Sequence, residues 1–496
     1  MSILSSHAAD CFTLLKRSLI QSDELPLVEI LDDKLLKDTF EQEKVRFGVS
    51  DEDVFTPAVT LWAMLSQFLF SETGRTVKAA AGRVVSLYAQ IDGRVVSQNA
   101  GNYCRAKAKI PVSALKKMTK DLAAQAECQM AERENLKTPM ELDEAEDRKC
   151  PETIAAIRRR GVFGRIINVD GFTIDAPDTE ENQKKYPQNP VQAKGLGFPI
   201  LRCVGLISMM TGLLIDLATA TYSGKGSGET TLLRQLKGSL RKGDLLVADS
   251  YYCSYWLIAM CKEIGVEVVM KNHHKRESHP IGAKQLSKSE RITSWVRPPR
   301  PNWMTKKEYN KVPESISIRL CDQKIREAGS RCQSFTIATT MLDIEEHPAH
   351  WIRGLYRGRW LVETDIQWIK CTMGLEHLRS QNPEGIEREL WAGLMTYNLV
   401  RVKMLQAGLT HTREARSLSF TETYQLLSTN WLLCACVGVS KPMKQASLLQ
   451  SVCAVIGNRL GRIEPRENKR REKILKLMKI PRKLFKQRLA KLAKTA

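Results

Sequence analysis

The chain has 496 residues, 43% of them hydrophobic, and a formal charge of +21, so it is long enough for several domains and strongly attractive to polyanions, nucleic acid first and an anionic membrane surface second. It contains no run of about 18 uncharged apolar residues, which argues against a membrane anchor, and the opening MSILSSHAADCF lacks the basic-then-apolar pattern of a secretory signal. Thirteen cysteines, an odd number with no C-x-x-C, predict reduced thiols in a cytosol rather than a disulfide framework.

Residues 1–150 read as helical. TPAVTLWAMLSQFLF places Val59, Met64 and Phe68 at helical spacing behind a Thr-Pro start, and IPVSALKKMTKDLAAQ begins a second helix at Pro111. Arg75, Lys78, Arg83, Arg94, Arg105, Lys107 and Lys109 make this region basic. Near residue 163 the pattern changes. GRIINVDGFTI, PILRCVGLISMM and TGLLIDLATATYS read as three strands, antiparallel, with a turn at Thr211-Gly212. A helix (GETTLLRQLKGSL), a buried strand (GDLLVADS), a helix (YWLIAMCKEIG) and a strand (VEVVMKN) follow. This order predicts a mixed sheet flanked by helices. Residues 272–340 break the alternation with a Pro-rich, basic and aromatic stretch and two strand-like runs, which reads as a β-rich insertion. Helices resume at about residue 347. From Arg459 onward 15 Lys and Arg face three Glu, a basic block suited to polyanion contact or to solubility.

The stretch LYRGRWLVETDIQWIK, residues 355–370, carries the most informative spacing. On one continuous helix turning ~100° per residue, Tyr356, Arg359, Glu363 and Lys370 share a sector roughly 60° wide, with Gln367 at its edge. An i,i+4 pair between Arg359 and Glu363, worth only about 0.2–0.5 kcal/mol, accounts for two of these residues and not for the others. A carboxylate among two cations and a phenol suits a bound metal beside phosphates. One carboxylate holds Mg²⁺ poorly, and phosphoryl transfer by two ions needs several that converge. Asp170, inside INVDGFTID, and Asp249, ending LLVADS, are the other candidates. An acid on a buried strand is costly unless compensated; a metal compensates it, and a strand-end Asp capping a turn is the competing reading for each.

With this order of acids the chain resembles DDE transposases of the bacterial insertion-sequence-4 family. Their signature Tyr-x(2)-Arg-x(3)-Glu-x(6)-Lys is matched without a gap by Tyr356, Arg359, Glu363 and Lys370. VDG around Asp170, GDLLVADSYYCSYW around Asp249, TTMLD before the signature, W-x-R-P-x-R-P-x-W-M in the insertion and GRIEPRENKRREK near the end are similar to family patterns. Many relatives carry Arg after the second acid, where this chain has Ser250. The match runs from about 159 to 385.

The resemblance implies an α/β, RNase H-like mixed-sheet catalytic domain interrupted by a β-strand insertion, with helical N- and C-terminal regions. The implied division is a helical DNA-end-binding region at 1–150, catalytic halves at 159–271 and 341–400, the insertion at 272–340, and a helical C-terminal region with a basic tail at 401–496 for dimerisation and DNA contact. The implied activity is Mg²⁺-dependent cleavage and strand transfer at the inverted-repeat ends of an insertion sequence, through a hairpin. Asp170, Asp249 and Glu363 would hold two Mg²⁺ ions, with Mn²⁺ as a substitute. Tyr356, Arg359 and Lys370 would bind phosphates. Trp295 and Trp303 would stack a flipped base, the alternative being that they pin a Pro-rich loop to the core. The expected partners are double-stranded DNA and a second copy of the chain, in a bacterial cytoplasm, with no membrane. The competing function is a non-catalytic DNA-binding derivative. SGKGSGE at 223–229 is glycine-rich but lacks the G-x-x-x-x-G-K-[ST] pattern, so nucleotide use is not supported.

Overall fold

The structure is a computed structural model that describes residues 12–19, 33–48, 53–70, 72–136, 164–325, 333–411, 413–437 and 480–495. GRIEPRENKRREK and most of the basic tail lie outside the described residues. The chain divides into two units, one of Met1–Glu141, Met210–Ile215 and Thr364–Gly457, the other of Leu142–Met209, Asp216–Glu363 and Asn458–Ala496.

The second unit is organised by a sheet of nine strands: β1 Ile166–Asp175, β2 Ile200–Ser208, β3 Leu214–Thr221, β4 Leu245–Ala248, β5 Glu267–Lys271, β6 Lys284–Ser287, β7 Glu290–Val296, β8 Ser315–Ile325 and β9 Gln333–Thr339. Their order is β3-β2-β1-β4-β5-β9-β8-β7-β6. β1 is antiparallel to β2 and parallel to β4, and β4 is parallel to β5. The first five strands therefore have the RNase H-like arrangement that the resemblance implied. Parallel neighbours need a crossover, and the Tyr255–Glu263 helix supplies it between β4 and β5. The central strand β4 is the short apolar run LLVA, buried at every position, as strands covered on both faces must be.

The β-rich insertion extends this same sheet. β9 pairs antiparallel with β5, and β8, β7 and β6 follow outward as an antiparallel meander. The two strands β6 and β7 were hidden by their polar composition: β6 is KQLS, largely exposed at the sheet edge. Buried Arg319 on β8 pairs with Glu290 and donates from Nη1 to the carbonyls of Asp343 at 3.1 Å and His347 at 2.7 Å. It thereby ties the connector that leads into the Ala349–Arg357 helix to the sheet.

The first unit is helical. Pro57–Leu69 starts as the Thr-Pro pair predicts: the Thr56 hydroxyl accepts from the Val59 N–H, and Pro57 occupies a first-turn position where its missing N–H costs nothing. Twelve of its 13 residues are buried, so it is a core helix rather than an amphipathic one. Pro383–Thr410 is the long helix of this unit. Its Arg401, with Arg416 and Tyr397, surrounds the fully buried Asp365. A buried carboxylate left unpaired would be strongly destabilising, so this network fixes the chain two residues beyond Glu363. Among the described residues no helix is long and apolar enough to cross a membrane.

Candidate functional site

Strand register brings the two aspartates together. In the parallel β1–β4 ladder Ile166, Ile167 and Asn168 face Leu245, Leu246 and Val247. Two residues past the last pair stand Asp170, still inside β1, and Asp249, the first residue beyond the end of β4; neighbouring strands run roughly 4.8 Å apart. The ladder is pinned at its start by Arg165, whose guanidinium meets both oxygens of Asp244 at 3.0 and 2.6 Å. Asp170 Oδ1 accepts from the Gly171 N–H at 2.8 Å. Asp249 Oδ1 accepts from the Tyr251 N–H at 2.8 Å, the local turn expected of a strand-end Asp, while its carboxylate also faces Asp170 electrostatically.

The signature segment is not one helix, which corrects the wheel drawn from the sequence. Ala349–Arg357 and Trp360–Gln367 are separate α-helices, and Trp368–Thr372 is a π-helical turn. The break falls at Gly358-Arg359, where glycine weakens a helix and where the chain meets the sheet: Asn168, on the same face of β1 as Asp170, donates from Nδ2 to the Gly358 carbonyl at 3.2 Å. The turn drops Arg359 between two acids. Its Nη1 lies 4.0 Å from Asp170 Oδ2 and its Nη2 is 2.7 Å from Glu363 Oε1, so the i,i+4 pair read from the sequence is present.

The electrostatics follow from this enclosure. Burial pushes the Asp170 carboxyl up to about 6; Gly171 and Arg359 oppose the rise, and Asp249 and Glu363 add to it. Burial works against the Arg359 charge, yet Glu363, Tyr356 and Asp170 hold it above its ordinary range. Burial pushes the Tyr356 phenol up to about 12.

Beside the acids is a small pocket lined by Lys271, Phe335, Arg353, Tyr356, Arg359 and Trp360, among others. The rings of Phe335 and Tyr356 stand 5.3 Å apart, and Lys271 Nζ lies 5.1 Å from the Phe335 centroid. Aromatic faces among cations suit a base with its phosphate. Sequence reasoning missed Phe335, because on β9 it looked like one more strand residue; only the pairing of β9 with β5 brings it beside this site.

Trp295, on β7, is 8% exposed with Arg276 over its ring at 3.8 Å. Trp303 is 49% exposed, with Arg234 3.9 Å above its ring and Trp256 edge-on at 6.2 Å. Lys370 belongs to the helical unit and pairs with Glu376 at 3.2 Å.

Among the described residues no three His, Cys, Asp or Glu side chains are grouped closely enough to hold an ion as they stand, and Glu363 is turned to Arg359. The donor set nevertheless fits a hard divalent cation: Asp170, Asp249 and Glu363 offer only carboxylate oxygens.

Residues 162–399 match the transposase DDE domain family. The transposase InsG for insertion sequence element IS4 of Escherichia coli is 25% identical over 243 residues, covering 49% of this chain and 52% of that protein. A putative transposase, y4zB of Sinorhizobium fredii, is 22% identical over 189 residues, covering 38% of this chain and 49% of that protein. The chain thus spans about half the length of the curated relatives it matches. Among solved structures, the piggyBac transposase synaptic complex with hairpin DNA aligns over 90% of this chain and 86% of its own, at a TM-score of 0.40 and 10% identity.

Proposed function

Starting from residues 162–399 as a transposase DDE domain, we propose that the chain is a DNA transposase of the insertion-sequence-4 type. It binds the terminal inverted repeats of an insertion sequence, cleaves them and joins them to target DNA in a divalent-ion-dependent reaction. The observation that supports this reading is Arg359 reaching from Asp170 to Glu363, with Asp249 at the end of β4, the parallel neighbour of the strand that carries Asp170.

Asp170, Asp249 and Glu363 would hold the ions, two Mg²⁺ or in their place Mn²⁺. When bound, such a pair supplies activation of the attacking oxygen and stabilisation of the leaving one. The chain's own residues do the rest. Arg359 balances the acids before DNA arrives, and its guanidinium is suited to a phosphate once Glu363 turns away. Tyr356 stays protonated at neutral pH, since burial raises it, and donates its hydroxyl hydrogen to a phosphate oxygen. Lys370 adds a cation further along the same segment. The pocket of Phe335, Tyr356 and Lys271 accepts a base unstacked from the DNA end, as a hairpin intermediate requires. We place the working assembly as a homodimer on double-stranded DNA in the bacterial cytoplasm, with the basic N-terminal region at 1–150 on the element's ends and the C-terminal region at 401–496 in dimerisation and DNA contact.

The experiment is to incubate the protein with DNA carrying the element's ends and Mg²⁺, beside Glu363→Gln. Hairpins and strand-transfer products from the wild type, and DNA binding without cleavage from the variant, are expected. Nicking by Glu363→Gln at the wild-type rate would sink the assignment; DNA binding without cleavage by the wild type in Mg²⁺ and in Mn²⁺ would identify a non-catalytic derivative.

A further inference from the structure

The glycine-rich SGKGSGE stretch has no part in the reaction described above, yet it ends on an acid beside the site. Glu229 opens the Glu229–Gln235 helix, whose N-cap is Gly228. An acid in a first turn is ordinarily explained by the helix dipole. The Glu229 side chain does something more specific: its carboxylate lies against the α-carbon of Gly171. A Cβ at position 171 would stand 2.6 Å from both carboxylate oxygens and would collide with the carboxyl carbon. The N–H of this same Gly171 is held by Asp170.

The other side of the Glu229 carboxylate meets the second acid's segment. Tyr252, three residues past Asp249 and fully buried, donates its hydroxyl to Glu229 Oε2 at 3.1 Å. Burial raises the Tyr252 phenol far above its ordinary range, and the charges of Glu229, Asp170 and Asp249 add to the effect. One carboxylate thus touches the residue after Asp170 and the residue three after Asp249. The β1–β4 ladder does not do so at this level, since its pairing ends at Asn168 and Val247.

We propose that Glu229 is a positioning residue of the divalent-ion site, its carboxylate wedged on Gly171 and held by Tyr252 so as to set the separation of Asp170 from Asp249. The inference rests on the ion-site reading given above. Shape and hydrogen-bond acceptance perform the role, so a side chain of equal size that still accepts from Tyr252 preserves it. Partners that orient ion ligands are typically worth about 10–100-fold in metal affinity.

The test is Mn²⁺ binding to the full chain without DNA, read from the free-Mn²⁺ paramagnetic resonance signal. Glu229→Ala is expected to weaken binding about tenfold with the melting temperature unchanged, and Glu229→Gln to restore it to within about threefold of wild type. Wild-type affinity in Glu229→Ala overturns the proposal, and so does equal loss in Glu229→Gln, which would assign the effect to charge. If Glu229→Ala melts early, Tyr252→Phe, which removes only the hydroxyl, decides: weakened Mn²⁺ binding supports the role and wild-type binding ends it. Asp249→Asn separates the two levels. Loss of Mn²⁺ in Asp249→Asn with none in Glu229→Ala removes Glu229 alone, whereas no loss in Asp249→Asn removes the ion-site reading and this inference with it.

Discussion

The side-chain amide of Asn168 donates to the carbonyl of Gly358 at 3.2 Å, joining the strand that carries Asp170 to the helix break that carries Arg359. Asn168 is fully buried, so its replacement cannot be compensated by water. Asn168→Ala is expected to cost about 0.5–1.5 kcal/mol, the net worth of one hydrogen bond, since the Gly358 carbonyl still accepts from the Leu361 N–H at 3.1 Å. It should also cut DNA cleavage more than a similarly destabilising core truncation such as Ile258→Val, worth about 0.5–1.5 kcal/mol, because it frees the segment that holds Arg359 and Glu363. Thermal unfolding and single-turnover cleavage of both variants compare the two losses. Equal cleavage at equal stability would make Asn168 an ordinary core residue.

Asp170 should destabilise the cation-free protein at neutral pH. Its folded value of about 6 exceeds its ordinary 3.8, so the folded chain binds this proton more tightly than the unfolded one. Stability therefore falls as pH rises from about 4 to 6 and stays low above that. The side chain is 23% exposed, and with solvent screening the cost is about 1–2 kcal/mol. Asp170→Asn is expected to melt higher than wild type at pH 7 in a chelator, with the gap closing near pH 4. A gap that persists or widens in acid would contradict the assignment.

Phe335, rather than either tryptophan, is expected to carry base stacking at the cut end. Phe335→Ala should reduce hairpin formation by the equivalent of about 1–3 kcal/mol, the worth of one stacked base, and 2-aminopurine placed at the end should lose less fluorescence on binding. Trp295→Ala should instead lower thermal stability, since Trp295 is buried under Arg276. A normal 2-aminopurine signal in Phe335→Ala together with a lost one in Trp303→Ala would reverse the choice.

Much of this architecture was legible in the sequence because it rests on local patterning. The order of three strands, helix, strand, helix, strand followed from alternation, from buried runs such as LLVA and from glycine turns. The signature spacing also gave the Arg359–Glu363 pair correctly. The break at Gly358 was only partly legible: the glycine in LYRGRW weakens a helix there, whereas the tertiary hydrogen bond from Asn168 that meets the break leaves no mark in the sequence. Nor was the insertion's place in the sheet, since strand order depends on the β5–β9 pairing across more than 60 intervening residues. Glu229 was hidden for the same reason: its neighbours Gly171 and Tyr252 lie 58 and 23 positions away.

The central claim is that Asp170, Asp249 and Glu363 together hold divalent ions once Glu363 leaves Arg359. Anomalous scattering from Mn²⁺ in crystals of the protein bound to its end DNA measures this directly. The account predicts two peaks between strand β1, strand β4 and the Trp360–Gln367 helix, with oxygens of all three carboxylates at bonding distance. Peaks coordinated without Asp170 and Asp249, or a Glu363 still paired to Arg359 with ions bound, would contradict it.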